Sequence, residues 1–132
     1  MKLSIITPCR NDQSSLIKCV ESTANYADDI EHIVFDSSTE SILKRCPSLL
    51  ERFPHLSYFH ETDDGPAHAI AKGLSRAKGK YVAFLMANDE FIGRNIQEVL
   101  KDINERPSDI LVYGYFVHSE LAVDKRRVKG NL

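Results

Sequence analysis

Short apolar runs alternate with longer segments of helical periodicity along most of the chain. Five of these runs predict β-strands, at residues 2–7, 30–35, 56–60, 81–87 and 109–117. The stretches "SIIT" (4–7) and "VAFLM" (82–86) lack any alternation of apolar and polar positions. Continuous runs of this kind are typical of strands that helices cover on both faces.

Four segments between these runs predict helices, at residues 14–26, 38–53, 66–77 and 94–106. Asp12 or Ser14 is a suitable N-cap for the first helix. Pro47 predicts a kink or a break inside the second helix, because proline removes a backbone donor. Pro66 suits the first position of the third helix, and Pro107 ends the fourth.

This order of elements predicts an α/β fold with a mainly parallel sheet, right-handed crossovers and helices on both faces. A chain of 132 residues is expected to form a single domain, residues 1–132. An apolar fraction of 42% and a charged fraction of 27% fit a soluble globular protein. The net charge of −2 gives no electrostatic basis for broad nucleic-acid binding.

The cysteines and the absence of a membrane signal bear on the compartment. Cys9, Cys19 and Cys46 form no Cys-x-x-Cys pair, so we expect free, mostly buried thiols rather than a zinc site or a disulfide framework. No apolar run is long enough to span a bilayer, and the N-terminus lacks a signal-peptide pattern. The sequence therefore predicts a cytoplasmic protein without a transmembrane segment, a prediction that leaves peripheral membrane association open.

Polar and acidic residues follow each of the first four predicted strands, in "PCRND" (8–12), "DSSTE" (36–40), "ETDDG" (61–65) and "NDE" (88–90). In open parallel sheets, ligands bind outside the carboxyl ends of the strands. Neither a Gly-x-Gly-x-x-Gly stretch after the first strand nor a P-loop is present. The pattern favours a nucleotide site built from side chains and backbone, with acids where a divalent cation would bridge phosphates.

Three ordered stretches follow successive predicted strands: "TPCRN" (7–11), "DSSTES" (36–41) and "ETDDGPAHAIAKG" (61–73). Together they give the chain a resemblance, over about residues 2–118, to the inverting family 2 glycosyltransferases of the GT-A fold. "TPCRN" (7–11) matches the Thr-Pro-x-x-Asn that follows the first strand in that family. "DSSTES" (36–41) keeps an acid, a serine and a threonine of the second stretch but loses its glycines and is one residue shorter. "ETDDGPAHAIAKG" (61–73) follows the family plan for the third strand and the next helix.

The resemblance implies a GT-A, Rossmann-like sandwich that binds a nucleotide-diphosphate sugar, commonly a UDP-sugar. It implies transfer of the sugar to a hydroxyl acceptor in glycan, polysaccharide or lipid-linked oligosaccharide synthesis. The residues that it assigns to the donor are Thr7, Pro8, Asn11, Asp36, Asp63 and Lys72. By this analogy Thr7 and Pro8 shape the wall around base and ribose, and Asp36 accepts a hydrogen bond from the base. A turn or N-cap role for Asp36 and solvated positions for Asp63 and Lys72 remain alternatives.

The stretch "FLMANDEF" (84–91) bears on the metal. In the family an acidic motif at this position binds manganese or magnesium between the diphosphate oxygens, but here Met86 and Asn88 occupy the two acidic positions. A thioether is a poor ligand for these hard cations. Asn88 and Asp89 are the expected cation ligands, with Glu90 as a substitute if the turn shifts. The alternative is that Asn88 or Asp89 caps the helix that starts near Ile92.

The acceptor side of the predicted site is incomplete. Inverting transfer needs a base opposite the leaving diphosphate, and relatives often carry Asp where this chain has Tyr115. Nothing in the sequence indicates that His68 is that base. This pattern fits a donor-binding part whose native chain continues past Leu132. A catalytically degenerate nucleotide-sugar-binding module and a scaffold domain that shares only the fold remain as alternatives.

Overall fold

The computed structural model describes residues 1–92, 95–106 and 108, and within them four parallel strands form one sheet in the order β3-β2-β1-β4. The strands are β1 (Leu3–Cys9), β2 (Ile30–Asp36), β3 (Leu56–His60) and β4 (Tyr81–Phe84). The helices are α1 (Gln13–Glu21), α2 (Ile42–Arg45), α3 (Leu49–Arg52), α4 (Pro66–Arg76) and α5 (Asn95–Glu105), with a 3₁₀ turn at Ala24–Tyr26. None of the described helices has the length and hydropathy needed to cross a bilayer.

Helices cover both faces of the sheet, which confirms the predicted fold class. Leu16 of α1 and Ile42 of α2 pack with Val34 on one face, where α5 also packs against Leu3 and Ile5. On the opposite face Ala69 of α4 packs with Ile33 and Phe35. Because side chains alternate along each strand, they contribute to a separate core on each face of the sheet.

Local chemistry explains the helix boundaries. Asp12 is the N-cap of α1, and its carboxylate accepts a hydrogen bond from the Ser15 amide at 3.2 Å. The predicted second helix is divided into α2 and α3 around Pro47. Pro66 is the first residue of α4, as predicted.

Two expectations about the fourth strand are wrong. β4 ends at Phe84, three residues earlier than predicted, because the chain then turns and the Asp89 amide donates to the Met86 carbonyl at 2.9 Å. Every residue of β1 is buried, but Phe84 is 54% exposed. β4 is an edge strand of the described sheet, and α4 packs on β1 and β2 instead. The predicted fifth strand, at 109–117, lies outside the described residues.

A buried polar network joins β1, β2 and α1 below the sheet's carboxyl edge. His32 is fully buried, and its Nε2 lies 2.8 Å from Thr7 Oγ1 while its Nδ1 lies 3.0 Å from Thr23 Oγ1. Thr23 donates to the Val20 carbonyl at 2.9 Å and also contacts His55 Nε2 at 2.8 Å. Because a hydroxyl has one proton, both histidines must donate to Thr23. His32 Nε2 is then the acceptor, and Thr7 donates to it.

Two glycines allow α4 and the following loop to approach the sheet. A Cβ on Gly73 would lie 2.5 Å from the Ile6 side chain, and a Cβ on Gly79 would lie 2.4 Å from the Ser4 backbone nitrogen. The Ser4 hydroxyl also accepts the Gly79 amide at 2.7 Å. The contact at Gly79 is the less forgiving of the two, because backbone cannot rotate away.

We expect Gly79→Ala to lower the free energy of unfolding by about 1–3 kcal/mol, the usual penalty for overpacking a well-packed site. Urea denaturation followed by circular dichroism measures this change. Ser75→Ala, at an exposed position of α4, serves as the control and should change it by less than about 0.5 kcal/mol. An unchanged midpoint for Gly79→Ala would show that the loop is not packed against β1 as described.

The free energy of unfolding should decrease as the pH is lowered below 6.5, the ordinary pKa of histidine. Burial, together with neighbouring His55, lowers the pKa of His32 from 6.5 to about 3. The neutral form is favoured in the folded state, so this contribution is present above pH 6.5 and is lost as the pH falls towards 3. The loss approaches about 1.4 kcal/mol per pH unit for one proton. Urea denaturation between pH 7 and about 4.5 measures it, above the main carboxylate range.

His32→Gln removes this titration. The variant should be less stable than wild type at neutral pH but should lose less stability on acidification, by about one bound proton. His55, whose pKa burial also lowers, and the thiol of Cys19 face the same network and are unchanged in the variant. Equal slopes for the two proteins would refute the assignment of the pH dependence to His32.

Candidate functional site

The carboxyl ends of all four strands converge on one cavity of about 150 Å³. Its lining residues come from the segments that follow β1, β2, β3 and β4: Pro8, Cys9, Arg10, Ser37, Asp63, Gly65, Pro66 and Met86. Parallel strands bring these ends to the same edge of the sheet, where ligands bind in such folds. Three of the four polar segments that the sequence singled out contribute lining residues, whereas the segment 88–90 adjoins the cavity only through Met86, two residues before it.

A larger cavity of about 470 Å³ lies elsewhere on the α4 face, between β2, β3 and the end of α4. Its lining includes Ser57, Phe59, Arg76 and Lys78 but no described residue of the loops after β1, β2 or β4. Arg76 lies over the Phe59 ring at 4.1 Å, an arrangement that stabilises the fold by a cation–π contact. Position in the fold, rather than volume, makes the smaller cavity the candidate site.

Asp36 ends β2 and is fully buried. One carboxylate oxygen accepts from the Ser38 amide at 2.9 Å and from the Ser38 hydroxyl. The other accepts from the Ile42 amide at 3.0 Å and from the Tyr58 hydroxyl. Four donors from the protein itself thus occupy this carboxylate.

These contacts determine the charge of Asp36. Burial alone would raise its pKa, but the hydrogen bonds from Ser38, Tyr58 and Ile42 outweigh burial and lower the pKa below its usual value. Burial and the bond to this carboxylate raise the pKa of Tyr58 to about 12. The geometry fits the turn role of Asp36, and its contact with a base stays a prediction that would require one of these donors to move.

The loop after β2 is fastened to the loop after β1. The Asn11 amide donates to Ser38 Oγ at 2.7 Å, and the Thr39 amide donates to Asn11 Oδ1 at 3.1 Å. The Ser37 amide donates to the Cys9 carbonyl at 2.9 Å. Among described non-glycine residues Asn11 alone has a positive φ, of 52°, which asparagine tolerates. The loop after β2, which has serines instead of the glycines of the family pattern, contains no left-handed residue.

Thr7 and Pro8 point to opposite faces of β1. Thr7 is fully buried in the histidine network, with its hydroxyl directed away from the cavity. Pro8 lines the cavity. Of the two residues only Pro8 is placed to contact a ligand in the cavity, and their role as a wall around base and ribose stays a prediction.

The structure separates the two charged residues predicted after β3. Asp63 lines the cavity, and its Oδ1 accepts the Gly65 amide at 2.9 Å. Lys72 instead pairs with Glu61 at 3.1 Å and donates to the Thr62 carbonyl at 3.2 Å. Lys72 is not among the cavity lining residues, and its contacts brace the loop that carries Asp63.

The turn that carries Asn88 and Asp89 borders the cavity through Met86. The Cys19 thiol donates to the Met86 carbonyl at 3.7 Å and ties this turn to α1. A cation here would have one carboxylate from Asp89, a neutral oxygen from Asn88 and no ligand from Met86. Within residues 1–92, 95–106 and 108, no group of three or more His, Cys, Asp or Glu residues could hold a metal. The turn by itself therefore does not form a cation site, and a cation here would depend on phosphate oxygens of the ligand, so that its binding by Asn88 and Asp89 stays a prediction.

Sequence reasoning did not select Arg10 or Cys9, although both belong to the stretch that matched the family. Burial, followed by the Asp36 carboxylate, raises the pKa of Cys9 to about 12, so its thiol is protonated at neutral pH and is neither a base nor a nucleophile. Arg10 is exposed at the cavity. A cationic residue immediately after the central strand is the signal that could have identified it.

Comparison of sequences places this architecture in a family. Residues 4–131 match the family described as Glycosyl transferase family 2. An uncharacterized glycosyltransferase of Rickettsia bellii is 35% identical over 109 residues, which are 79% of this chain and 15% of that protein. The putative teichuronic acid biosynthesis glycosyltransferase TuaG of Bacillus subtilis is 33% identical over 122 residues, 86% of this chain and 46% of that protein. The chain thus spans less than half the length of these relatives.

Solved structures share the fold. S. aureus TarS 1-349 in complex with UDP has a TM-score of 0.72 at 25% identity, over 83% of this chain and 34% of that chain. The mannosyltransferase PcManGT from Pyrobaculum calidifontis, in complex with GDP-Man and Mn²⁺, has a TM-score of 0.66 at 23% identity, over 80% and 33%. The resemblance drawn from the three stretches is confirmed, and the chain belongs to glycosyltransferase family 2.

Proposed function

We propose that this chain binds the nucleotide-diphosphate sugar, most simply a UDP-sugar, in a glycosyl transfer to a hydroxyl acceptor. The observation that carries the proposal is the single cavity to which all four strand ends contribute. Family membership supports the reaction class, and the fold likeness to a protein solved with UDP supports the donor class.

Different lining residues contact different parts of the donor. Pro8 and Pro66 give the cavity apolar walls against which a ribose or base can pack. Asp63 is a carboxylate held in place by the Gly65 amide, which suits acceptance of hydrogen bonds from ribose hydroxyls. Asp36 and Asn11 hold the surrounding loops rather than the ligand.

The acceptor belongs to the glycan and polysaccharide class. The relative TuaG carries teichuronic acid biosynthesis in its name, and this supports a carbohydrate hydroxyl as the nucleophile.

The free thiols of Cys9, Cys19 and Cys46 fit a reducing cytoplasmic setting.

A nucleotide-sugar-binding module without turnover is the second candidate, and a specific observation favours it. Inverting transfer requires a base beside the acceptor hydroxyl. Within the part of the chain that the structure describes, Asp63 is the sole carboxylate that lines the cavity, and the donor role above already uses it. Tyr115, which stands where relatives often carry an acid, lies outside the described residues.

Calorimetric titration with UDP and uridine tests the donor site. Asp63→Ala should weaken both affinities by about three- to tenfold, the loss expected for one hydrogen bond to a charged group. Asp64→Ala is a matched control, since the Asp64 side chain is 97% exposed, and it should leave both affinities within about twofold. Thermal unfolding of each variant checks that the loop remains folded.

Failure of the wild-type protein to bind UDP, GDP and uridine would contradict the proposed donor site. Equal affinities for Asp63→Ala and Asp64→Ala would remove Asp63 from it. Release of UDP from UDP-GlcNAc, followed by coupled assay, separates the two candidates: slow hydrolysis supports an enzyme, and binding without hydrolysis supports the module.

A further inference from the structure

We propose that the guanidinium of Arg10, rather than a divalent cation at the turn carrying Asn88 and Asp89, neutralises the diphosphate of the bound nucleotide. This inference rests on the proposed donor site. Among the described residues that line the cavity, Arg10 alone carries a positive charge. Donor binding by this chain is then largely independent of metal.

The turn after β4 supplies too few hard ligands to hold a cation without help from the ligand's own phosphates. Met86, not Asn88 or Asp89, is the residue of this turn that lines the cavity. Mg²⁺ and Mn²⁺ are held by carboxylate and carbonyl oxygens, and a thioether contributes nothing to them. A diphosphate in this cavity would still need positive charge beside it.

Arg10 is available to supply that charge. Within the described part of the chain its guanidinium has no hydrogen bond, ion pair or ring contact. Lys72, the other cation expected at the site, is instead occupied by Glu61 at 3.1 Å. The planar fork of arginine matches two phosphate oxygens at once, which a single ammonium does not do.

The backbone on both sides of Arg10 is fixed. Cys9 before it accepts the Ser37 amide at 2.9 Å. Asn11 after it makes two hydrogen bonds to the loop after β2, and Asp12 caps α1. A charge carried on a fixed backbone loses less entropy on binding, which strengthens a phosphate contact.

The charges around the cavity determine the orientation of the bound ligand. Gly65 and Pro66, at the start of the 11-residue helix α4, line the cavity, and a helix N-terminus favours negative charge. Asp63 is the single anionic residue in the described lining and repels phosphate. The diphosphate therefore lies beside Arg10 and the start of α4, with the ribose towards Asp63.

Calorimetry with UDP and uridine, each in EDTA and in Mn²⁺, tests this assignment on the 132-residue protein. Wild type should bind UDP in EDTA, and Mn²⁺ should strengthen that binding by less than about threefold. Arg10→Gln should weaken UDP binding at least about tenfold, as expected for loss of a charge-assisted bond, while uridine affinity changes less than about twofold. Arg45→Gln, at an exposed arginine whose side chain is 67% accessible, is the control and should leave both affinities unchanged.

Each other outcome overturns the inference. Loss of UDP binding in EDTA, with Asp89→Ala more damaging than Arg10→Gln, would return the charge to a cation at the turn. An equal loss of UDP and uridine affinity in Arg10→Gln would reduce Arg10 to a structural role. Wild-type protein that binds none of the nucleotides would contradict the proposed function as well, whereas UDP binding unaffected by Arg10→Gln would overturn this inference alone.

Discussion

The site depends on the parallel register of β1 with its two neighbours. β1 pairs with β2 from Leu3 to Cys9 and with β4 from Leu3 to Ile6, so the loops that follow all three strands leave from one edge. No single loop forms the cavity, and none would form it in isolation. The position of the cavity therefore follows from the topology of the sheet, and its chemistry from the residues that the loops carry.

Polar groups under the edge keep these loops in position. The Asp36 carboxylate accepts hydrogen bonds from four donors. The Thr7 hydroxyl donates to His32 Nε2, in the interior of the protein. Buried polar groups of this kind cost free energy unless they are fully bonded, and here they specify one loop arrangement. Their removal would therefore damage the site without touching a ligand, which separates residues that hold the loops from residues such as Pro8 and Asp63 that line the cavity.

The sequence was sufficient for the elements whose local chemistry and burial agree. β1 is buried along its whole length, as its unbroken apolar run predicts, and Pro66 and Pro47 act as their positions suggest. The prediction for β4 was wrong because a continuous apolar run cannot reveal which strand lies at an edge. Phe84 pairs with Ile6 and lies on the same face of the sheet as α4, but α4 packs on β1 and β2 and leaves Phe84 exposed. Edge position depends on tertiary contacts that the pattern does not contain.

Site residues were harder to predict, because neither the charge of a residue nor its position at the end of a strand determines where its side chain points. Lys72 lies on a helix near the cavity, yet Glu61 pairs with it. Asp36 ends a strand as expected but turns into the protein, since Tyr58 and the Ile42 amide lie within reach. Arg10 belongs to the matching stretch "TPCRN" but occupies a variable position of the Thr-Pro-x-x-Asn pattern, so the pattern assigns it no role.

The central claim is that four strand ends form one nucleotide pocket, and an NMR titration tests it most directly. In ¹H–¹⁵N spectra of the protein with UDP added in EDTA, the account predicts that shifted amides cluster at Cys9, Arg10, Ser37, Gly65 and Met86. Shifts that cluster instead at Ser57, Phe59 and Arg76, around the larger cavity, would contradict the account.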